Sequence, residues 1–410
     1  MKKYFFLFLL SVSVFNLFAC NNNAKKQAEQ KTKKEQAQAN IPPPQPAAFF
    51  PERYLPILEN KKLGLVVNHT SMVGKTHLVD FLTQKNIAVS KIFTPEHGFK
   101  GTADAGEKVH NDTYNNISIV SLYGDNKKPT AEALKGIDLL VFDMQDVGAR
   151  FYTYISTLHY IMEAAAENNI ELVILDRPNP NGHYVDGPVR APEFESFVAM
   201  HPIPVVHGLT VGELAQMING EGWLKDGKKC KLSIIMAPNY NHNIGYDLPV
   251  KPSPNLPNTI SILLYPSLCF FEGTALSIGR GTDKQFQVIG HPALKEMPYT
   301  FTPQKNEGAK YPKLENELCR GFDLSALDKK ELFLQQKLSL SLLIDLYNTF
   351  PDKDNFFLTN NFFDKLAGTS ALQKQIKQGL SEAEIRATWQ ADLDIYKKMR
   401  KKYLLYADFE

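Results

Sequence analysis

Short apolar runs rich in β-branched residues recur through the first half of the chain, at Lys62–Asn68, Val89–Phe93, Ile117–Leu122, Ile137–Asp143 and Ile170–Asp176. Runs of this length, bounded by polar residues, read as strands buried on both faces. Between them lie helical patterns, most clearly over Thr153–Asn168, where Ile155, Leu158, Ile161, Met162 and Ala165 share one helix face. Strand alternating with helix predicts an α/β fold whose mostly parallel sheet is covered on both sides.

The pattern changes from about Pro202. Thr210 followed by Glu213 predicts a capping box opening a helix, and Ser381 with Glu384 predicts another, leading a stripe of Ile385, Trp389, Leu393 and Tyr396. Between them, Pro252–Pro257, Tyr265–Thr274 and Ser277–Thr282 are too rich in proline and glycine for continuous helix. These segments suit a second wall over the open edge of the sheet. The division expected is one domain over 49–200 and a second α/β domain over 201–410.

Ahead of the globular pattern, Met1-Lys-Lys precedes an apolar run from Tyr4 to Phe18 and the ending Leu17-Phe-Ala-Cys20. Charged start, short apolar core and small residue before the cut site are the order of an export signal, and the run is short for a membrane span. Leu-x-Ala-Cys resembles a bacterial lipobox, which implies cleavage before Cys20 and its acylation. An exported lipoprotein held to a membrane by its lipid alone is the expectation, on the periplasmic face of the outer membrane or the cell surface. Asn21–Pro46 is rich in Asn, Lys, Gln, Ala and Pro. It lacks the apolar residues to order itself, so a tether is expected from 21 to about 48.

A formal net charge of +2 gives no sign of a nucleic-acid surface. With Cys20 lipidated, Cys230, Cys269 and Cys319 remain, an odd set without any C-x-x-C pair. Buried free thiols are expected, not a disulfide scaffold or thiolate metal site.

In open α/β sheets ligands bind beyond the carboxyl ends of the strands. The residues standing there are Asn68-His69, Glu96-His97, Tyr123, Asp143-Met-Gln145 with Arg150, and Asp176-Arg177 with Asn179. Most crowded is Phe93-Thr-Pro-Glu-His-Gly-Phe-Lys-Gly101, closed by Asp104-Ala-Gly-Glu107, which sets four ionisable groups in a glycine-rich loop. Such crowding suits a cleft that needs acid and base groups. Val73-Gly-Lys-Thr76 looks like the end of a phosphate loop, but His69 stands where its first glycine belongs, which argues against nucleotide binding.

Taken in order, Val-Val-Asn-His-Thr at 66–70, the Pro-Glu-His-Gly-Phe loop, Asp-Ala-Gly-Glu, Phe-Asp-Met-Gln-Asp-Val-Gly at 142–148 with Arg150-Phe-Tyr-Thr-Tyr154, and Asp-Arg-Pro-Asn-Pro at 176–180 form one series. His-Gly-Leu-Thr at 207–210, Pro-Ser-Pro-Asn-Leu at 252–256 and the block from Tyr265 to Thr274 continue it. The ordered set resembles the NamZ-type exo-β-N-acetylmuramidases, glycoside hydrolases formerly grouped as a domain of unknown function. The resemblance implies a Rossmann-like domain facing a second α/β domain across a cleft. It also implies removal of N-acetylmuramic acid from the non-reducing end of peptidoglycan-derived MurNAc-GlcNAc glycans, with neither metal nor organic cofactor.

Glycoside cleavage needs an acid at the leaving oxygen and a second group at the anomeric carbon. Glu96, on a stiff backbone after Pro95, is the expected acid, with His97 orienting it or serving the loop. Glu107 and Asp143 compete for the second role, and the 2-acetamido group of the sugar is a third route. Arg150, Arg177 and Arg280 are candidates for the lactyl carboxylate, each also able to pair with Asp146, Asp176 or Asp283. Tyr123, Tyr152 and Tyr154 offer aromatic faces, and Asn68, His69, Gln145, Asn179, His207 and Glu272 complete the expected substrate-binding set. A lipid-anchored sugar or muropeptide binder without turnover is the rival reading. Metal-assisted hydrolysis through His69, His97 and His207 lacks any H-E-x-x-H spacing, and serine catalysis lacks a G-x-S-x-G elbow.

Overall fold

Alternate side chains of each central strand go to opposite faces, and both faces are dry. In the computed structural model, which describes residues 42–104, 107, 111–124 and 126–410, Val66, Phe93, Leu140, Phe142, Leu172 and Ile174 enter one core. Their neighbours Leu65, Val67, Ile92, Val141, Val173 and Leu175 enter the other. This two-sided burial is why the strands read as continuous apolar runs.

In chain order the strands are β1 (Leu63–Val67), β2 (Met72–Val73), β3 (Thr76–His77), β4 (Val89–Thr94), β5 (Asp112–Tyr114), β6 (Ile117–Ser121), β7 (Leu139–Asp143), β8 (Glu171–Leu175), β9 (Leu232–Ile235), β10 (Val288–His291), β11 (Tyr299–Phe301) and β12 (Cys319–Asp323). Seven form the main sheet in the order β5-β6-β4-β1-β7-β8-β9. All its pairings are parallel except the edge pair β5 and β6. The chain leaves β1 toward β4 and later returns to β7 on the other side, so the strand order reverses between β1 and β7. A crevice at that reversal is the general ligand position of such sheets.

The helix Tyr154–Glu167 follows β7 and buries Ile155, Leu158, Ile161, Met162 and Ala165, as its spacing predicted. Val211–Gly220 and Glu382–Arg400 both begin with the expected capping boxes, and the stripe Ile385, Trp389, Leu393 and Tyr396 is buried. Beyond the main sheet, the C-terminal α/β domain carries a three-stranded antiparallel sheet, β10-β12-β11, and a set of helices. Cys230, Cys269 and Cys319 are buried free thiols. No helix among the described residues is long and apolar enough to cross a membrane.

Two expected boundaries move. Residues 45–410 form one compact unit, and β9 and the helix Val211–Gly220, both past residue 200, still belong to the main sheet and its cover. The end of the segment expected as a tether is packed chain, because Ala47 and Ala48 are fully buried and the Ala47 amide donates to Asp176 O at 2.9 Å; residues 21–41 of that segment lie outside the described residues. Small side chains let this segment pack against the sheet despite its low hydropathy. Cys20 and the signal-like segment lie outside the described residues.

Candidate active site

Thr94 ends β4 in full burial, and its carbonyl accepts from Leu122 N at 2.8 Å. Pro95 then turns the chain, with Gly98 N donating to Pro95 O at 3.1 Å. His97 occupies the left-handed region at φ 68°, an arrangement that costs energy for a non-glycine residue and needs compensation. Its ring supplies this by donating from Nδ1 to Ala103 O at 2.6 Å, closing the loop on itself. Burial lowers the His97 pKa, so Nε2 carries the lone pair of a neutral ring. Gly101, at φ 66°, lies where any Cβ would run into the His69 ring. His69 in turn meets Lys251 O through Nε2 at 2.8 Å, and burial lowers its pKa to about 4. His69 therefore braces the loop from outside.

So held, Glu96 faces a cavity of about 360 Å³ beyond the carboxyl ends of β4, β6 and β7, shared with Tyr123, Tyr154, Glu272 and Arg280. Thr153 Oγ1 donates to Glu96 Oε2 at 2.6 Å. Tyr152 and Tyr154 stand edge to face, ring centroids 4.7 Å apart. Their hydroxyls are pinned to Pro252 O at 2.8 and 3.3 Å, and Asn68 Nδ2 donates to the Tyr154 hydroxyl at 2.8 Å. Asn68 thus acts on the cavity through Tyr154.

Glu272 supplies a second carboxylate to the cavity. Its Oε1 accepts from Arg280 Nε at 2.5 Å, and burial opposed by this partner leaves the Arg280 pKa raised. Glu272 is the only hydrogen-bonding partner of Arg280 among the described residues, and it engages Nε alone. The two terminal amino groups remain as a fork for an incoming anion.

Several expected site residues lie elsewhere. Asp143 is fully buried and takes both arms of Arg177, at 2.6 and 3.0 Å, so neither faces the cavity. Arg150 is enclosed and gives hydrogen bonds to four backbone carbonyls, those of Pro188, Ile203, Leu366 and Ala367, and not to Asp146. Gln145 donates to Asp146 O and Pro178 O, and Asn179 to Leu209 O. His207 is buried behind Asp146, 3.8 Å away. These side chains belong to the scaffold beneath the floor, because each polar end needed a partner once the strands were buried.

Glu107 is separated from Glu96 by the loop itself. It lines a different cavity, of about 540 Å³, and pairs with Lys310 Nζ at 2.5 Å. That partner, then Asp104 N, holds its pKa down. A carboxylate kept ionised and salt-bridged on the far side of the loop is a latch.

Sequence reasoning missed Thr153, Asn255, Phe197, Phe362 and Leu366, all of which line the Glu96 cavity. Thr153 and Asn255 stood inside recognisable blocks with nothing to single them out. Phe362 and Leu366 arrive from a helix, Phe362–Ala367, more than 200 residues beyond the loop, and only the fold reveals them. Among the described residues no group of three His, Cys, Asp or Glu side chains is arranged to hold a metal.

Residues 63–260 match the family model for the N-terminal part of exo-β-N-acetylmuramidase NamZ, and residues 263–406 match the model for its C-terminal part. Over 99% of its length the chain is 37% identical to the peptidoglycan β-N-acetylmuramidase NamZ of Bacillus subtilis strain 168, all of which is covered. The crystal structure of a DUF1343 family protein from Bacteroides fragilis superposes with a TM-score of 0.82, at 45% identity over 90% of this chain and all of the other. A second protein of that family from the same organism gives 0.75, at 30% identity over 87% of this chain and 96% of its own.

Proposed function

Since the chain belongs to the NamZ family of exo-β-N-acetylmuramidases, and is thereby a glycoside hydrolase, we propose that it releases N-acetylmuramic acid from the non-reducing end of peptidoglycan fragments with Glu96 as general acid. The observation that carries this reading is the setting of Glu96: a carboxyl in a cavity of about 360 Å³, oriented by Thr153, among residues that follow the carboxyl ends of β4, β6 and β7. A cavity at the small end of the usual ligand range suits one terminal sugar.

In the reaction so read, the Glu96 proton passes to the glycosidic oxygen, the bond to the anomeric carbon breaks, and the remaining glycan leaves with that hydrogen; water supplies the hydroxyl that the anomeric carbon ends with, and its other proton restores the acid. Glu272 replaces Glu107 and Asp143 as the candidate for the second catalytic group, being the other carboxylate that reaches the cavity. Arg280 takes the lactyl carboxylate on its free fork while Glu272 fixes its plane through Nε. Tyr123 and Tyr154 present aromatic surface to the ring.

Incubation of the protein with MurNAc-GlcNAc, with the products followed by NMR, tests the reading. Free N-acetylmuramic acid is expected from the parent and not from Glu96→Gln, and the anomer first formed reports the stereochemical course. Recovery of intact disaccharide bound to the parent would support the sugar-binding alternative instead. For location, the Leu17–Cys20 sequence supports an exported lipoprotein, and incorporation of labelled fatty acid by the parent but not by Cys20→Ala is the matching test.

A further inference from the structure

A second cavity, of about 240 Å³, meets the first at Glu272 and Arg280, which line both. Its far side carries Tyr311, Lys313 and Ser277. Tyr311 is 84% exposed, although it stands beside a site whose Phe151, Tyr152, Tyr154, Tyr265 and Phe286 are buried. A lone exposed aromatic is ordinary on a protein surface, but this one borders a concavity that opens off the proposed catalytic cavity.

The segment bearing Tyr311 is fixed at that rim from two directions. Lys310 N donates to Asp104 Oδ2 at 2.8 Å, which ties it to the loop of Glu96. Gln304 N donates to Gly281 O at 2.8 Å, which ties it to the loop of Arg280, and Asn306 and Ala309 exchange backbone hydrogen bonds of 3.0 and 3.2 Å, which close a turn within the segment. One face of the ring is covered by the Lys305 ammonium, 5.4 Å from the centroid, itself paired with Glu315. The opposite face is left to solvent.

We propose that this second cavity and the open face of Tyr311 form the binding site for the leaving-group side of the glycan, the N-acetylglucosamine and further sugars beyond the cleaved bond. This rests on the muramidase reading above. An enzyme that encloses one terminal sugar must let the rest of the chain leave past the rim, and the exit has to be continuous with the enclosed site. The Glu272 and Arg280 walls provide that continuity. A β-linked hexosamine shows one face made mainly of C–H bonds, which pack on an aromatic ring, and a hydroxyl and amide edge for polar neighbours. The cavity beyond the His97 loop is a poorer exit, since among the described residues the one it shares with the catalytic cavity is the buried His97.

The test compares the full chain with Tyr311→Ala and Tyr311→Trp on two substrates, a nitrophenyl β-N-acetylmuraminide and a MurNAc-GlcNAc tetrasaccharide. On the tetrasaccharide kcat/KM is expected to fall about tenfold in Tyr311→Ala, chiefly through KM. On the nitrophenyl glycoside it is expected to stay within twofold, and Tyr311→Trp is expected to keep the parent's preference. Equal effects on both substrates, or none on either, would overturn the subsite while leaving the muramidase reading in place. A parent protein that cleaves neither substrate would overturn both.

Discussion

Thr153 holds Glu96 through a 2.6 Å hydrogen bond from a position where threonine ordinarily does something else. It precedes the helix Tyr154–Glu167 as its N-cap, yet its side chain caps no backbone amide there. Forgoing that cap costs about 1 kcal/mol, and the hydroxyl instead fixes one carboxyl oxygen.

Thr153→Val should therefore lower kcat by roughly 10- to 100-fold, the worth of a hydrogen bond to a charged group, with KM nearly unchanged. Thr153→Ser, which restores the donor, should recover most of the loss while thermal stability stays close to the parent in both. A Val variant with parental kcat would show that the hydroxyl does not position the acid.

Glu96→Gln keeps the shape of the side chain and its contact with Thr153 but has no proton to transfer. Turnover of MurNAc-GlcNAc should fall by about 10²- to 10⁴-fold. The melting temperature should stay within a few degrees, since Glu96 is only partly buried. Activity within a few-fold of the parent would remove Glu96 from the acid role.

The strands and the cavity were legible in the sequence to different degrees. β1, β4, β6, β7 and β8 lie inside the predicted runs or within a residue of them; β1, β7 and β8 are packed on both faces, which leaves a nearly unbroken apolar signal, whereas β4 and β6 expose Ser90 and Ser118 and keep that signal over fewer residues. β9 gave no such signal: it is an edge strand with every residue only half buried. Glu96, Tyr123, Tyr154, Glu272 and Arg280 were recognised and do meet in one cavity. Asp143, Arg150 and Arg177 looked equally catalytic because a polar residue at a strand end reads the same whether it faces ligand or scaffold. What separates the cases is the partner, and the partners of Arg150 include carbonyls 216 and 217 residues away.

Arg280 can be tested through the substituent it is proposed to recognise. Arg280→Met should raise KM for N-acetylmuraminides by about 10- to 100-fold, the loss of a charge-assisted pair. Glucosaminides, which lack the lactyl group, should be far less affected, so that the preference between the two sugars narrows. An unchanged preference ratio would place lactyl recognition elsewhere.

Arg150 leads to the opposite kind of outcome. Its guanidinium spans 2.7–2.9 Å to the carbonyls of Pro188, Ile203, Leu366 and Ala367, all in the interior. Arg150→Met leaves those acceptors unpaired and should cost about 3–5 kcal/mol in urea unfolding. If folded protein is recovered, KM should match the parent, whereas a selective rise in KM with intact stability would return Arg150 to the ligand site.

Asp146 should make stability fall as pH rises, the reverse of the dependence that its neighbour His207 contributes. Oδ2 accepts from Gly148 N at 2.7 Å, but Oδ1 has no hydrogen-bond partner among the described residues, and His207 Nε2, at 3.8 Å, is too distant to bond. Burial pushes the Asp146 pKa up to about 7 from 3.8, so the folded protein holds a proton that the unfolded chain releases. Stability from this group is complete below pH ~4 and is lost as pH rises through about 7. Burial lowers His207 to about 3, which acts in the acid range between its folded and unfolded values. Burial likewise raises Asp176, to about 6, but both of these groups remain in parent and variant alike. The unfolding free energy of Asp146→Asn minus that of the parent should accordingly rise between pH 5 and pH 8, by roughly 2–4 kcal/mol. A difference that stays flat over that range would mean that the buried carboxyl is already ionised at pH 5.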